Sequence, residues 1–263
     1  MPPFWDPICP PQGIVSLRSY LDSRGYDVTI VDMNTDGNLF ALQQKYFELA
    51  ASHFPQWKFL NIPRNGPRYF ARHQLVWFHN HQRKVKYKEL VRRILNFDGI
   101  SVCTDHLIEQ LDSIISEIFN IIELKTKELM ENLTPDTVGC TMLESTFPSA
   151  LAILKKVKEI SPDASTVLGG PGVVTGNMVD DGNLQRITER CDWIDAIIYG
   201  EGERVLESYL EGRLGDKKIL TVNDLSDEHL LDLNDLPMPT YEGLPAIKYL
   251  WLSVFSSRGC PFK

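Results

Sequence analysis

The feature that most constrains this chain is a pattern that recurs three times after Pro135. A short apolar or β-branched run ends in small or polar residues and gives way to a helical stretch. Thr137–Met142 reads as a strand and Pro148–Ile160 as a helix, with Ala150, Leu151, Leu154, Val157 and Ile160 on one face. Ser165–Gly170 is a second strand, followed by a short helix over 183–190. Trp193–Tyr199 is a third, running through Gly200-Glu201-Gly202-Glu203 into a helix over 204–210. Strands alternating with helices predict an α/β fold, a Rossmann-like, doubly wound parallel sheet.

The first 34 residues fit half of such a unit. Ile14, Leu17, Tyr20 and Leu21 recur at helical spacing, Gly25 follows as the residue after a helix C-cap, and Asp27–Asp32 reads as a buried strand. The strand expected ahead of that helix has no counterpart in the MPPFWDP stretch, so the sheet is expected to lack its first strand. Residues 35–133 differ in character. Helical spacing dominates, most clearly from Leu107 through Leu111, Ile114, Ile115, Ile118, Phe119 and Ile122 to Leu133, and 37–52 and 83–96 follow suit. This stretch reads as a helical insertion in a Rossmann-like domain made of 1–34 and 134–211. Proline-rich 212–246 reads as a linker, and 247–263 as a strand running into a loop.

Composition narrows the function classes. The 263 residues hold 27 basic and 35 acidic side chains, a net charge of −8, which argues against general nucleic-acid binding. Five cysteines, irregularly spaced, suit a reduced cytoplasmic compartment better than a disulfide framework. The N-terminus has no secretory pattern, and no run is long and apolar enough for a membrane span. The charge is uneven. From Arg64 to Arg93 there are nine basic residues and one acid, Glu89; this +8 segment leaves −16 for the rest of the chain. It is either a surface for an anionic partner or a face that docks on the acidic remainder.

In an open parallel sheet, ligands bind beyond the carboxyl ends of the strands. The loops expected there are Asn34 onward, Thr141-Met142-Leu143-Glu144-Ser145, Gly169-Gly170-Pro171-Gly172 and Gly200-Glu201-Gly202-Glu203. Each glycine either lets a ligand approach the backbone or merely makes a tight turn. Glu201 and Glu203 suit the N-terminus of the following helix better than acid–base work. His79 with His81 has the wrong spacing for metal ligation on a helix, Cys103 with His106 lacks a second pair, and Cys9, Cys140 and Cys191 read as packing residues. No G-x-G-x-x-G follows a first strand, against a dinucleotide site.

The order PPQG–helix–RGYDVTIVDMN, VGCTM, VLGGPG and AIIYGEGE resembles the cobalamin-binding domain that precedes the barrel of radical S-adenosylmethionine enzymes. LNDLPMPTYEGL resembles the hinge before that barrel, and SSRGCPFK the start of its cluster loop. The resemblance implies cobalamin over the strand ends, its nucleotide tail beside Gly169-Gly170, with Thr141 and its neighbours lining the tail cavity and Gly200 to Glu203 closing one side. It implies no histidine to cobalt, since the DxHxxG motif of related cobalamin proteins is absent. Cys260 matches the first thiolate of CxxxCxxC, which in the full-length parent holds a [4Fe–4S] cluster that binds S-adenosylmethionine. Only one of the three thiolates lies in this sequence, so the chain is expected to be clipped at both ends and to be a binding module without catalytic residues of its own. The implied parent is a methyltransferase acting on an unactivated carbon or phosphorus centre, with a small-molecule or peptide substrate. The alternative is a degenerate domain, without cobalamin, used for substrate or partner docking.

Overall fold

The computed structural model describes residues 1–4, 8–53, 62–95, 103–174, 182–225, 234 and 236–253. Its frame is a four-stranded parallel sheet: β1 (Thr137–Thr141), β2 (Ser165–Gly169), β3 (Ala196–Ile198) and β4 (Ile219–Leu220), in the order β1-β2-β3-β4. Thr137 pairs with Ser165 and Thr141 with Gly169; Val167 pairs with Ala196, and Ile197 with Ile219. Alternation sorts the strand side chains onto two buried faces. Val167, Ala196, Ile198 and Leu220 pack with Val205 on one side, while Leu168 and Ile197 join the main core on the other.

Helices cover both faces, as the alternating sequence requires. Numbered along the chain, they are α1 (Gln12–Ser23), α2 (Gly37–His53), α3 (Ile62–Asn80), α4 (Lys84–Leu95), α5 (Asp105–Leu133), α6 (Phe147–Ile160), α7 (Pro171–Val174), α8 (Asn183–Arg190) and α9 (Glu203–Leu210). α6 packs on β1 and β2 on one face, and α9, which supplies Val205 on the other, contacts α1. The end of α1 forms a Schellman motif: Tyr26 N–H donates to the Leu21 carbonyl at 3.1 Å and Gly25 N–H to that of Asp22 at 3.1 Å, with Gly25 at φ +88°. A side chain at that φ is strained, which is why glycine stands there.

α2 to α5 occupy the stretch read as helical. Their apolar stripes do not make a separate core. Tyr46, Phe70, Val91, Leu111, Ile115 and Ile118 belong to one continuous cluster with Leu151, Leu154 and Leu168 beside the sheet. α5 is started by Thr104, whose hydroxyl accepts from Leu107 N–H at 3.2 Å. It ends at Thr134 (φ 43°), just before Pro135.

Three readings are corrected. Residues 27–32 form no strand of this sheet: they run extended, and the backbone bonds at their end are to Met1, its ammonium donating to the Val31 carbonyl and its carbonyl accepting from Met33 N–H at 3.1 Å. That is the pattern of one parallel bridge. A β-branched run becomes a sheet strand only where a neighbour offers a ladder, and among the described residues the outer side of β1 has none. The linker stretch contains β4, too short to stand out by alternation. Within the expected terminal strand, residues 249–253 pair with no strand, and 254–263 lie outside the described residues.

Candidate functional site

The chain turns from strand to helix at one edge of the sheet, where parallel topology gathers the loops after β1, β2 and β3. The β1–α6 loop is tied by Thr146, which is wholly buried: its hydroxyl accepts from Leu143 N–H at 2.9 Å, while Phe147 N–H donates to the Leu143 carbonyl at 3.0 Å. Of the residues singled out here, Met142 is wholly buried, Thr141 and Leu143 are half-buried and Glu144 is exposed.

The loop after β2 is fastened to this one through its backbone. Met142 N–H donates to the Gly169 carbonyl at 2.6 Å, and Gly172 N–H donates to the Met142 carbonyl at 2.8 Å. The glycines allow that approach. A Cβ on Gly170 (φ +103°) would lie 2.5 Å from Thr141 Oγ1 and 2.9 Å from Met142 N; one on Gly172 would lie 2.6 Å from the Met142 carbonyl oxygen and 2.7 Å from Leu143 Cα. Gly172 is thus buried as a packing glycine, whereas Gly170 and Pro171 present their outer sides to solvent.

The loop after β3 is different. Gly200 has φ +91°, is exposed, and a Cβ there would meet nothing within 4 Å. Glu201 is exposed, Gly202 approaches Leu17 of α1, and Glu203 is buried in the first turn of α9, where the helix N-terminus favours a carboxylate. The exposed part of these loops is therefore Gly170–Pro171 and Gly200–Glu201, with the buried Met142 and Gly172 beside the first of them.

The Asn34 loop is covered by the C-terminal segment. Tyr249 donates to Asp32 Oδ2 at 2.9 Å, and Lys248 Nζ donates to the Thr35 carbonyl at 3.1 Å. Burial, then the charge and hydrogen bond of Asp32, hold the Tyr249 phenol well above its usual range, although a hydrogen bond from Asn34 opposes this. Sequence reasoning missed this strap, which carries no motif. Burial also lowers the pKa of the Met1 ammonium, and it pushes the thiols of Cys103, Cys140 and Cys191 up to about 11, as befits packing cysteines. Cys260 lies outside the described residues.

The basic segment divides. Arg68 Nε meets Glu144 Oε2 at 3.1 Å and Arg72 Nε meets Oε1 at 3.8 Å, joining α3 to the β1–α6 loop. Lys88 pairs with Asp105 and Glu109, Arg92 with Asp105, and Arg93 with Glu89. Arg83, Lys84 and Lys86, at the turn between α3 and α4, are exposed and make no ion pair among the described residues. His81 stacks on Trp77 with ring centroids 4.3 Å apart, and burial, then Arg190 and Lys155, lower the pKa of His79. Cys103 is buried and His106 exposed. Among the described residues no group of three or more His, Cys, Asp or Glu is placed to hold a metal, and no helix is long and apolar enough to cross a membrane.

Comparison with known proteins places this geometry in context. The chain is similar to an uncharacterized methyltransferase of Pyrococcus horikoshii, 27% identical over an alignment of 153 residues that covers 51% of this chain and 32% of the relative. It is similar to the anaerobic magnesium-protoporphyrin IX monomethyl ester cyclase of Rubrivivax gelatinosus, 36% identical over 87 residues (33% of this chain, 14% of the relative). The cyclase of that name from Cereibacter sphaeroides matches at 28% over 131 residues (48% of this chain, 20% of the relative). The chain thus spans a third or less of each relative. No family model matches, and no solved structure does.

Proposed function

We propose that this chain is the cobalamin-binding portion of a radical S-adenosylmethionine enzyme, a methyltransferase acting on an unactivated carbon or phosphorus centre. The observation that carries the reading is the exposed backbone at Gly170–Pro171 and Gly200–Glu201, at the carboxyl edge of a parallel sheet, where a large flat ligand needs bare peptide. The residues fit such a group on that side. A Cβ on Gly200 would meet nothing within 4 Å among the described residues. Its neighbours Thr141, Met142, Leu143, Glu144, Gly169, Gly172, Gly202 and Glu203 shape and support the floor.

When bound, cobalamin supplies the methyl-carrying chemistry; the protein's task is to hold and orient it. None of the six histidines lies in these loops, so cobalt receives no imidazole from them. The exposed backbone at Gly170 and Gly200 would hold the cofactor, and the buried Met142 supports the loop pair from beneath. By the resemblance of SSRGCPFK, Cys260 would supply the first thiolate of a [4Fe–4S] cluster at which S-adenosylmethionine binds. An anionic part of the substrate meets Arg83, Lys84 and Lys86, which make no ion pair among the described residues.

The test is direct. The protein is mixed with hydroxocobalamin, desalted, and its visible spectrum recorded. Retained cobalamin with an absorption spectrum altered from that of the free cofactor supports the reading; a colourless protein overturns it. A second reading, a docking domain without cobalamin, is favoured by one observation. The two hydrogen bonds between Met142 and the Gly169–Gly172 loop fill with backbone the space where the tail is expected. It predicts the colourless outcome.

A further inference from the structure

The helical stretch contains a buried polar chain that the cofactor reading does not use. His73 of α3 is wholly buried, and so is Tyr46 of α2; Tyr87 of α4 is nearly so. The Tyr46 hydroxyl lies 2.9 Å from His73 Nδ1, and His73 Nε2 lies 2.9 Å from the Tyr87 hydroxyl and 3.3 Å from Asp112 Oδ1 on α5. Tyr87 in turn donates to Asp112 Oδ1. Four helices each contribute one group.

The donor inventory fixes the direction of this chain. Tyr87 has one proton and donates it to Asp112 Oδ1. The Tyr87 oxygen then faces His73 as an acceptor, and Nε2 must carry hydrogen. Nδ1 is left to accept from Tyr46. Every group in the chain is satisfied in this arrangement, which matters because an unsatisfied group at such depth is costly. Burial, then the nearby Cys103 and Asp112, hold the Tyr46 phenol far above its usual range; burial and Asp112 do the same for Tyr87.

The geometry has a consequence for the loop beyond it. Turning α3 by one residue swings His73 through about 100° and breaks the chain. On the same helix, Arg68 and Arg72 reach Glu144 of the β1–α6 loop, and α3 also packs on α6, which that loop opens into. We propose that His73 is a positioning residue: held as its Nε2–H tautomer by Tyr46, Tyr87 and Asp112, it fixes the rotation of α3 and so presents Arg68 and Arg72 to the β1–α6 loop. This stands whether or not cobalamin is the ligand of that loop.

The test uses the ligand-free full chain, so its outcome is separate from that of the cofactor. Nitrogen-15 NMR of the His73 ring reads the tautomer, and amide hydrogen exchange reads the loop. The expected ring has a bare Nδ1 and a protonated Nε2. Tyr87→Phe removes one oxygen and cuts the relay. It raises exchange at the Leu143, Thr146 and Phe147 amides relative to Val167 and Leu168 by roughly three- to tenfold, the factor one neutral hydrogen bond carries. Arg68→Ala with Arg72→Ala gives the same loop effect and leaves the tautomer unchanged. Combining all three substitutions adds nothing further. A ring protonated at Nδ1, or exchange that rises equally in loop and sheet, overturns the proposal. Should Tyr87→Phe fail to fold, Tyr46→Phe, which strips Nδ1 of its donor, carries the same expectation.

Discussion

Replacing Gly172 by alanine tests whether the glycines of the β2–α7 loop serve packing. The new Cβ would stand 2.6 Å from the Met142 carbonyl oxygen, 2.7 Å from Leu143 Cα and 2.9 Å from Met142 C. All three are backbone atoms, so no side chain can swing away, and the two loops must part. Overpacking of this kind costs about 1–3 kcal/mol. Parting the loops also weakens the bonds joining Met142 to Gly169 and Gly172, at about 0.5–1.5 kcal/mol each. Together these give a loss of roughly 2–6 kcal/mol, or about 4–12 °C in Tm for a chain of this size. Two comparisons isolate the cause. Gly200→Ala meets nothing within 4 Å and suffers only from its φ of +91°, about 1–2 kcal/mol. Gly139→Ala meets nothing and has no such φ, so it is neutral or slightly stabilising. Thermal melts followed by far-UV circular dichroism rank the three. A Gly172→Ala protein that melts with the wild type, or a Gly139→Ala protein that falls as far, refutes the reasoning.

Other expectations follow from the same contacts. Asp36 caps α2, accepting from the Asn38 and Leu39 amides at 2.9 and 3.0 Å, and pairs with Lys125 at 2.9 Å. Burial pushes its carboxyl up, but Lys125 and the two amides prevail and hold it below the usual range. The stability it contributes is therefore present at neutral pH and lost progressively as pH falls below about 4, so the gap between wild type and Asp36→Ala in urea melts narrows on acidification; a gap that is as wide at pH 3 as at pH 7 refutes this. Thr134 is exposed, β-branched and held at φ 43°, so Thr134→Gly raises stability by roughly 1 kcal/mol, and a lower Tm contradicts that account. Charge reversal at Arg83, Lys84 and Lys86 leaves Tm within about 2 °C, since exposed charges without partners contribute little, but abolishes retention on a heparin column; unchanged retention removes the anionic-partner reading.

Much of the fold was legible because parallel strands buried on both faces write themselves as apolar runs. Val167-Leu168 and Ala196-Ile197-Ile198 are of this kind, and the helical face of α6 repeats at the expected spacing. The same rule misled at 27–32, where a strand-like run lacks the neighbour that makes a strand. It was silent at β4, whose two residues are placed by the edge of β3. The loops were legible as glycine clusters, but their roles were not. Gly172 and Gly200 read alike in sequence. Only the distance to the Met142 backbone separates a glycine that lets two loops close from one that leaves peptide bare. The relay through His73 left no pattern, because its four members come from four helices and meet only when these pack.

The central claim is tested most directly by cobalamin retention in wild type and Gly200→Val, measured side by side after desalting, with Tm recorded for both. The account predicts that the wild type keeps near-stoichiometric cobalamin, while Gly200→Val, still folded, loses it. Equal retention by both, or none by the wild type, contradicts it.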